Sequence, residues 1–496
     1  MKTEIFVVQK GHVTRNRVPQ GEKPVFSTFW LRYLLMVLLT PAFFMGCAPA
    51  VDTSITTILR NCTLIDGTGN PPVQEAVVAL AGDRIAYAGP ISDAPRAPAD
   101  ADVIDLSGKF VIPGLIDMHA HIDQGRYAPK FLAQLVAFGI TTVRAPSNPV
   151  VELRERVRKG EIVGPDLYLA GILINGPLSF YGQRGETEDD YRAIVANDAK
   201  KGVKFVKVYA GLPPNLTEVV IDEAHRQGLR VIGHLGETSW TQAANAGIDA
   251  ITHSWYSGLI DEVIPAAYRE EFADFYIPPG PNGFNPNLFA RWSEIVDVRG
   301  PEVMSLADLL KEHGIDIDPT LVLGEAMTWG NDPTVLERLE PDLAMPGQAE
   351  TWRSGPFPYS SSWTEEQFSA AQEAWPLMLE IVRVFHERGV LLTTGTDLLN
   401  PWMTPGVTLH REMELLVSSG IPPLEVLSIA TRNGAVALGI ENETGTVNAG
   451  KRADLVILSA DPTLSISNTR EIESVFLSGT RYDPNTLLQI QPDPVQ

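Results

Sequence analysis

Four histidines, one lysine and one aspartate in this 496-residue chain have types and spacing that suit metal chemistry. His119 and His121 stand two apart in MHAHID. On an extended strand, residues i and i+2 project from one face, so both imidazoles point the same way, as two ligands of one ion do. Taken alone, H-x-H fits a strand with two half-buried histidines equally well. The rest of the chain separates the two readings. His234 lies in RVIGHLG, His253 in AITHSW and Asp397 closes TTGTD, each at the end of a stretch that reads as a strand. Imidazole and carboxylate are the ligands that zinc takes. The other five histidines fall elsewhere: His12 near the start, His225, His313 and His386 on predicted helices, and His410 opening another. Lys207 sits in KFVKVYA, where strand periodicity puts Phe205, Lys207 and Tyr209 on one face. That mixed face makes sense only if it lines a site. Lys200, Lys201 and Lys204 nearby read as surface lysines.

The elements that must position these groups alternate strand and helix, the pattern of βα units around a parallel sheet. Candidate strands are Leu115–His119, Thr141–Ala145, Leu167–Ile172, Phe205–Tyr209, Arg230–His234, Ala250–His253, Asp316–Leu321 and Leu391–Thr396. Helical stretches such as Leu216–Gln227 and Ser305–His313 intervene. Eight such strands predict an α/β fold, a (β/α)8 TIM barrel, whose chemistry sits at the carboxyl ends of the strands. Before the barrel, Thr56–Leu64 and Ala76–Ala88 read as short strands with turns at Asp66-Gly67 and Gly82-Asp83, and Val103–Leu106 and Phe110–Ile112 follow. Gly445–Leu458 and Ser474–Leu477 read as strands near the other end. Two inserts, Trp255–Val303 and Val322–Trp375, follow strands six and seven. Their aromatic content predicts packed loops over the mouth of the site.

PGLIDMHAHID resembles the first barrel strand of the amidohydrolase superfamily, and the resemblance extends over nearly all of the chain after residue 55. It rests also on GTVNAGKRADLVIL (Gly445–Leu458), on HREMELL (His410–Leu416) and on the A-T-x-N-x-A-x-A-L-G pattern of Ala430–Gly439, which recur in imidazolonepropionase-like and prolidase-like members. The resemblance implies a small β-sandwich built from both chain ends (54–112 and 441–482) beside a barrel over 113–440, with a tail at 483–496. It implies a dinuclear centre of two divalent ions, with zinc expected. His119, His121 and Asp397 would hold the more buried ion, and His234 and His253 the second. Lys207 would bridge them as a carbamate, its amine having taken up CO2. Two such ions acidify a shared water and polarise a carbonyl, while Asp397 moves a proton to the leaving nitrogen. The substrate would be a small-molecule amide such as a dipeptide or an N-acyl amino acid. Arg184 in GPLSFYGQRGE, with Tyr181, Tyr209, Tyr256 and Asn400, are candidate substrate contacts. A lactonase or other esterase would use the same centre on a C–O bond. A mononuclear deaminase on this barrel would usually lack the lysine, and a non-catalytic surface lipoprotein would be expected to have lost ligands.

Composition bounds the rest. Residues 1–46 carry Lys2, Lys10, Arg15, Arg17, Lys23 and Arg32 against Glu4 and Glu22, and the whole chain has a net charge of −22. So strongly acidic a body argues against nucleic acid as a partner. The basic stretch and the apolar run Tyr33–Gly46 have the layout of a secretory signal, and Met45-Gly46-Cys47 resembles the end of a bacterial lipobox. Residues 1–47 are thus expected to be a leader that places the protein in the bacterial cell envelope, anchored to the membrane by lipid on Cys47. The rival is a signal-anchor helix over Tyr33–Val51, weakened by Pro41 and Pro49. Both place the catalytic body outside the cytoplasm. With Cys47 lipidated, Cys62, the only other cysteine, has no disulfide partner. Nothing in the sequence sets the oligomeric state.

Overall fold

A computed structural model of the chain describes Asp52 and residues 54–96, 98–179, 181–255, 262–272, 287, 289 and 291–494. The leader with Cys47, and Tyr256, lie outside these residues. Among the described residues, no helix is long and apolar enough to cross a membrane.

The chain opens with β1 (Thr57–Leu64), β2 (Val73–Ala81), β3 (Arg84–Pro90), β4 (Asp102–Asp105) and β5 (Phe110–Pro113). The first three form an antiparallel meander, and β4 and β5 both pair with β1 in parallel. Gly82 turns between β2 and β3 at a φ of +61°, which glycine reaches without steric cost. The barrel strands follow: β6 (Leu115–Asp117), β7 (Ile140–Ala145), β8 (Asp166–Leu169), β9 (Phe205–Val208), β10 (Arg230–Gly233), β11 (Ala250–Thr252), β12 (Asp316–Asp318) and β13 (Leu391–Leu392). They pair in parallel as β6–β7–β8 and as β9–β10–β11–β12–β13. A bridge between Ala170 and Phe205 joins the two runs. The Met118 amide donates to the Thr394 carbonyl at 2.8 Å, and a bridge from Ala120 to Leu398 closes the ring. The result is TIM-barrel-like. Its strands are buried along their length, ITTVRA and FVKV completely, as a sheet covered on both faces requires.

Near the far end, β14 (Leu455–Leu458), β15 (Ile472–Leu477) and β16 (Thr480–Tyr482) pair antiparallel and join β5, giving one eight-stranded sheet from both ends of the chain. The expected meeting of the two ends is therefore present as main-chain pairing. Leu59, Cys62, Val78, Leu455 and Phe476 fill its core. Cys62 is a small core hydrophobe there, and burial pushes its thiol up to about 11. The aspartate of the ADLVIL motif is a joint: Asp454 accepts the Ser478 amide at 2.8 Å, and its own carbonyl accepts the amide of Gly114, where sheet becomes barrel, at 2.9 Å.

Helices lie where periodicity places them. Pro214–Arg226 buries Val219, Val220 and Ala224, and Pro301–Glu312 takes the second expected stretch. Thr187, Ser239 and Thr364 start their helices with reciprocal capping boxes. Two expectations are corrected. Strand seven was expected to reach Leu321 but stops at Asp318, because Thr320 takes a φ of +48° and a helix begins at Leu321. The insert after it is helical rather than loop: Leu321–Thr328, Pro333–Arg338 and Gln348–Arg353 precede the long helix Glu365–Arg388, which includes Trp375. Its aromatics do pack, with Trp329 and Trp375 edge to face at 5.4 Å.

His410 of HREMELL is structural. Its Nε2 lies 3.0 Å from the Phe138 carbonyl and its Nδ1 2.8 Å from the Thr469 hydroxyl. Burial pulls it down to about 4 from 6.5. The unfolded chain therefore binds the extra proton first. This contribution is intact above pH 6.5 and is lost as pH falls toward 4, by about 3 kcal/mol in total. Denaturant unfolding should show that acid slope in wild type and a shallower one in His410→Gln.

Candidate metal centre

Three ligand atoms, one each from His119, His121 and Asp397, lie within 4.8 Å of one another at the carboxyl ends of β6 and β13. Local hydrogen bonds bring them there. Asp117, at the end of β6, accepts the amides of His119 at 3.0 Å and Thr396 at 3.3 Å, and the Thr396 hydroxyl at 2.6 Å. The Asp397 amide in turn donates to the His119 carbonyl at 2.7 Å. First and last strand ends are thus tied together, and Asp397 Oδ1 comes to 3.3 Å from His119 Nε2 and 3.1 Å from His121 Nε2.

The other two histidines complete a continuous cluster. His253 Nε2 lies 3.8 Å from Asp397 Oδ2, and its ring centroid is 4.9 Å from that of His119 and 4.5 Å from that of His234. Three of the four rings are oriented from behind. His119 Nδ1 meets Asp318 Oδ1 at 2.8 Å, His121 Nδ1 meets the Ser147 hydroxyl at 2.8 Å, and His253 Nδ1 meets the Thr320 hydroxyl at 2.7 Å. Thr320 Oγ1 also lies 2.8 Å from the Pro319 carbonyl, to which it can donate, so it can accept from His253 Nδ1. Lys207 is buried beneath, its amine 3.2 Å from the Thr252 hydroxyl.

Three residues here hold left-handed backbone without being glycine: His253 at φ +68°, Thr320 at +48° and Asp397 at +54°. Such conformations cost of order 1–3 kcal/mol each and persist where the surroundings fix them, as at functional sites. Glycine is required at Gly395. A Cβ there would lie 2.8 Å from the His119 Cβ and 3.0 Å from Asp318 Oδ1. Gly395→Ala should therefore lower stability by about 1–3 kcal/mol and reduce bound metal. Thermal unfolding and elemental analysis check this, and unchanged values would show that the contact relaxes.

Electrostatics suit ligation. Burial drives His119, His234 and His253 well below the ordinary histidine range, so their rings are neutral and keep a lone pair. Burial opposes the charge on Asp397, but the His121 hydrogen bond and the Lys207 cation favour it, and the carboxyl lies below its usual range. Burial also pulls the Lys207 amine down to about 8. Neutral imidazoles around an ionised carboxylate form a donor set that fits a divalent ion.

The predicted substrate contacts divide. The Tyr209 ring is 4.3 Å from that of His234, and the exposed Tyr181 is 6.0 Å from Tyr209. Asn400 does not face the histidines through its amide nitrogen, which donates to the Asp397 carbonyl at 2.8 Å. Arg184 is exposed and, among the described residues, makes no ion pair or hydrogen bond; no contact ties it to the cluster. Sequence reasoning missed Arg144, Asp318, Thr320 and Tyr359. The Tyr359 hydroxyl, from the helical insert, donates to Asn400 Oδ1 at 2.5 Å. The only signal for it was the aromatic richness of that insert.

Comparison with known proteins agrees with this geometry. Residues 110–481 match the amidohydrolase family. An imidazolonepropionase of Rhizorhabdus wittichii is 26% identical over 403 residues, 79% of this chain and 90% of that protein. Among solved structures, a Xaa-Pro dipeptidase with bound methionine aligns with a TM-score of 0.61 at 20% identity, over 86% of this chain and 99% of its own. A bottromycin amidohydrolase aligns at 0.64 and 20%, over 88% of each chain. At such identities these two likenesses speak for the fold alone. The chain belongs to the amidohydrolase family and is a hydrolase acting on carbon–nitrogen bonds.

Proposed function

We propose that the protein hydrolyses a small amide, a dipeptide or an N-acyl amino acid, at a two-ion centre. The observation that carries this is the convergence of His119, His121, His253 and Asp397 at the strand ends, with buried Lys207 behind them. His119, His121 and Asp397 would hold one divalent ion, zinc being the expected one, and His234 and His253 the other. Lys207, as a CO2-derived carbamate, would bridge the two. Two such ions supply acidification of water and polarisation of a carbonyl. Asp397 accepts the proton of the attacking water and delivers it to the leaving nitrogen, as base and then as acid. The buried rings of His119 and His253 hold their orientation through this step because their Nδ1 atoms are already engaged by Asp318 and Thr320. Tyr209, packed on His234, and Tyr181 beyond it line the approach for substrate.

The solved Xaa-Pro dipeptidase acts on dipeptides by its name, and with the amidohydrolase family match it supports a C–N bond as target. A screen of dipeptides, N-acyl amino acids and lactones with defined metal content tests the proposal. Turnover of the first two classes, abolished by chelation and restored by metal, is expected. Turnover of lactones alone would replace it with the esterase reading, and deamination by protein with one ion with the deaminase reading.

The leader reading is part of the same proposal: an envelope enzyme held by lipid on Cys47. Cys47→Ser should abolish lipid labelling and membrane retention. A Ser variant that still fractionates as an integral protein would favour a helix anchor.

A further inference from the structure

Behind His119 the barrel interior holds a fully buried guanidinium. Arg144, on β7, is 0% exposed, and its three kinds of N–H all find partners. Nε donates to the Met118 carbonyl at 2.7 Å, Nη1 to Asp316 Oδ1 at 3.1 Å and Nη2 to Asp318 Oδ2 at 2.8 Å. Its face is covered by the Phe205 ring, 5.7 Å away. Asp316 also receives Arg230 Nη2 at 3.3 Å, so two guanidinium groups face two carboxylates. The remaining oxygen of Asp318, Oδ1, is the one that meets His119 Nδ1 at 2.8 Å.

Three N–H bonds from one planar group leave Arg144 no rotational freedom, and the fork fixes the plane of the Asp318 carboxylate. Ionised beside the Arg144 guanidinium, the Asp318 oxygen only accepts, and the proton of this hydrogen bond then sits on His119 Nδ1. His119 Nε2 is then a lone pair 3.3 Å from Asp397 Oδ1. Two acceptors facing at that distance repel each other, and a cation between them turns repulsion into ligation. Gly395 leaves room for this pair: a Cβ there would come within 2.8 Å of the His119 Cβ and 3.0 Å of Asp318 Oδ1.

We propose that Arg144 is a positioning residue for metal binding: through Asp318 it sets the orientation and tautomer of His119, so that Nε2 faces the ion. This rests on the reading of His119 as a ligand but not on the substrate or on the reaction. A lysine at this position keeps the charge and three donors, but they radiate from one nitrogen and lack the planar fork that fixes the Asp318 carboxylate.

The test has two arms. In the first, metal-free wild type labelled with 15N-histidine is examined by long-range 1H–15N correlation, with the His119 signal assigned by its loss in His119→Gln. The Nδ1–H tautomer is expected; an Nε2–H ring overturns the proposal. In the second, zinc is titrated against a chromophoric chelator into wild type, Asp318→Asn, Arg144→Lys and Arg144→Met, each checked for folding by circular dichroism without metal. One of the two ions should weaken by about 10–100-fold in Asp318→Asn and Arg144→Met, with smaller loss in Arg144→Lys. Folded variants with wild-type affinity for both ions overturn the proposal. Removing one partner of a buried ion pair is strongly destabilising; should the variants not fold, the wild-type spectrum decides. A wild type that binds no zinc would overturn the site reading instead, and the tautomer still tests this inference.

Discussion

Asp397→Asn is expected to keep much of its metal and lose turnover by about 10²–10⁴-fold, the usual contribution of a positioned acid–base group. The expectation follows from where Asp397 sits. Its Oδ1 is shared between His119 and His121 at 3.3 and 3.1 Å, and its Oδ2 points toward His253 at 3.8 Å. As a ligand it is one among several, and an amide oxygen can partly replace it. As a proton carrier it has no substitute in the cluster, because the histidines are neutral and already oriented. The loss should therefore fall on kcat, with metal content by elemental analysis close to wild type. Equal loss of metal and kcat would reduce Asp397 to a ligand.

Lys207→Ala should behave in the opposite way, losing both metal and activity. The Lys207 amine is buried at 3 % exposure, and as a cation it would repel the ions that the surrounding histidines are set to hold. As the proposed carbamate it would instead be an anion. On the proposed reading, removing it would delete a bridging ligand and leave a space that a short carboxylic acid, bringing the same two oxygens, could enter. Added acetate or propionate should restore part of the activity of Lys207→Ala and little of that of Asp397→Asn. Full metal and near-normal turnover in Lys207→Ala would remove Lys207 from the ligand set and reopen the single-ion reading.

Much of this was legible in the sequence because it is local. His119 and His121 converge as their i, i+2 spacing suggests, although both lie past the end of β6 at Asp117, and most barrel strands announce themselves by a short apolar run followed by a turn. The boundaries failed where backbone conformation, not side-chain pattern, ends the strand. Thr320 at φ +48° turns Asp316–Leu321 from strand to helix after three residues, and the local signal for that turn is the Asp318-Pro319 pair in DIDPTL. The support behind the ligands was hidden for a different reason. Arg144 and Asp318 are 174 positions apart, and Tyr359 and Asn400 are 41 apart. Within TTVRA the arginine looks like any strand residue, and which carboxylate it meets depends on how the barrel closes. Arg184 lies on a glycine-rich loop and is exposed, and among the described residues no hydrogen bond or ion pair links it to the cluster.

The most direct test of the two-ion centre is the metal content of the purified chain, measured by elemental analysis after preparation with bicarbonate and divalent metal, alongside its amide-hydrolysing activity. Two ions per chain, with activity that rises as the second is filled, is the predicted result. One ion or none in a fully active protein would contradict it.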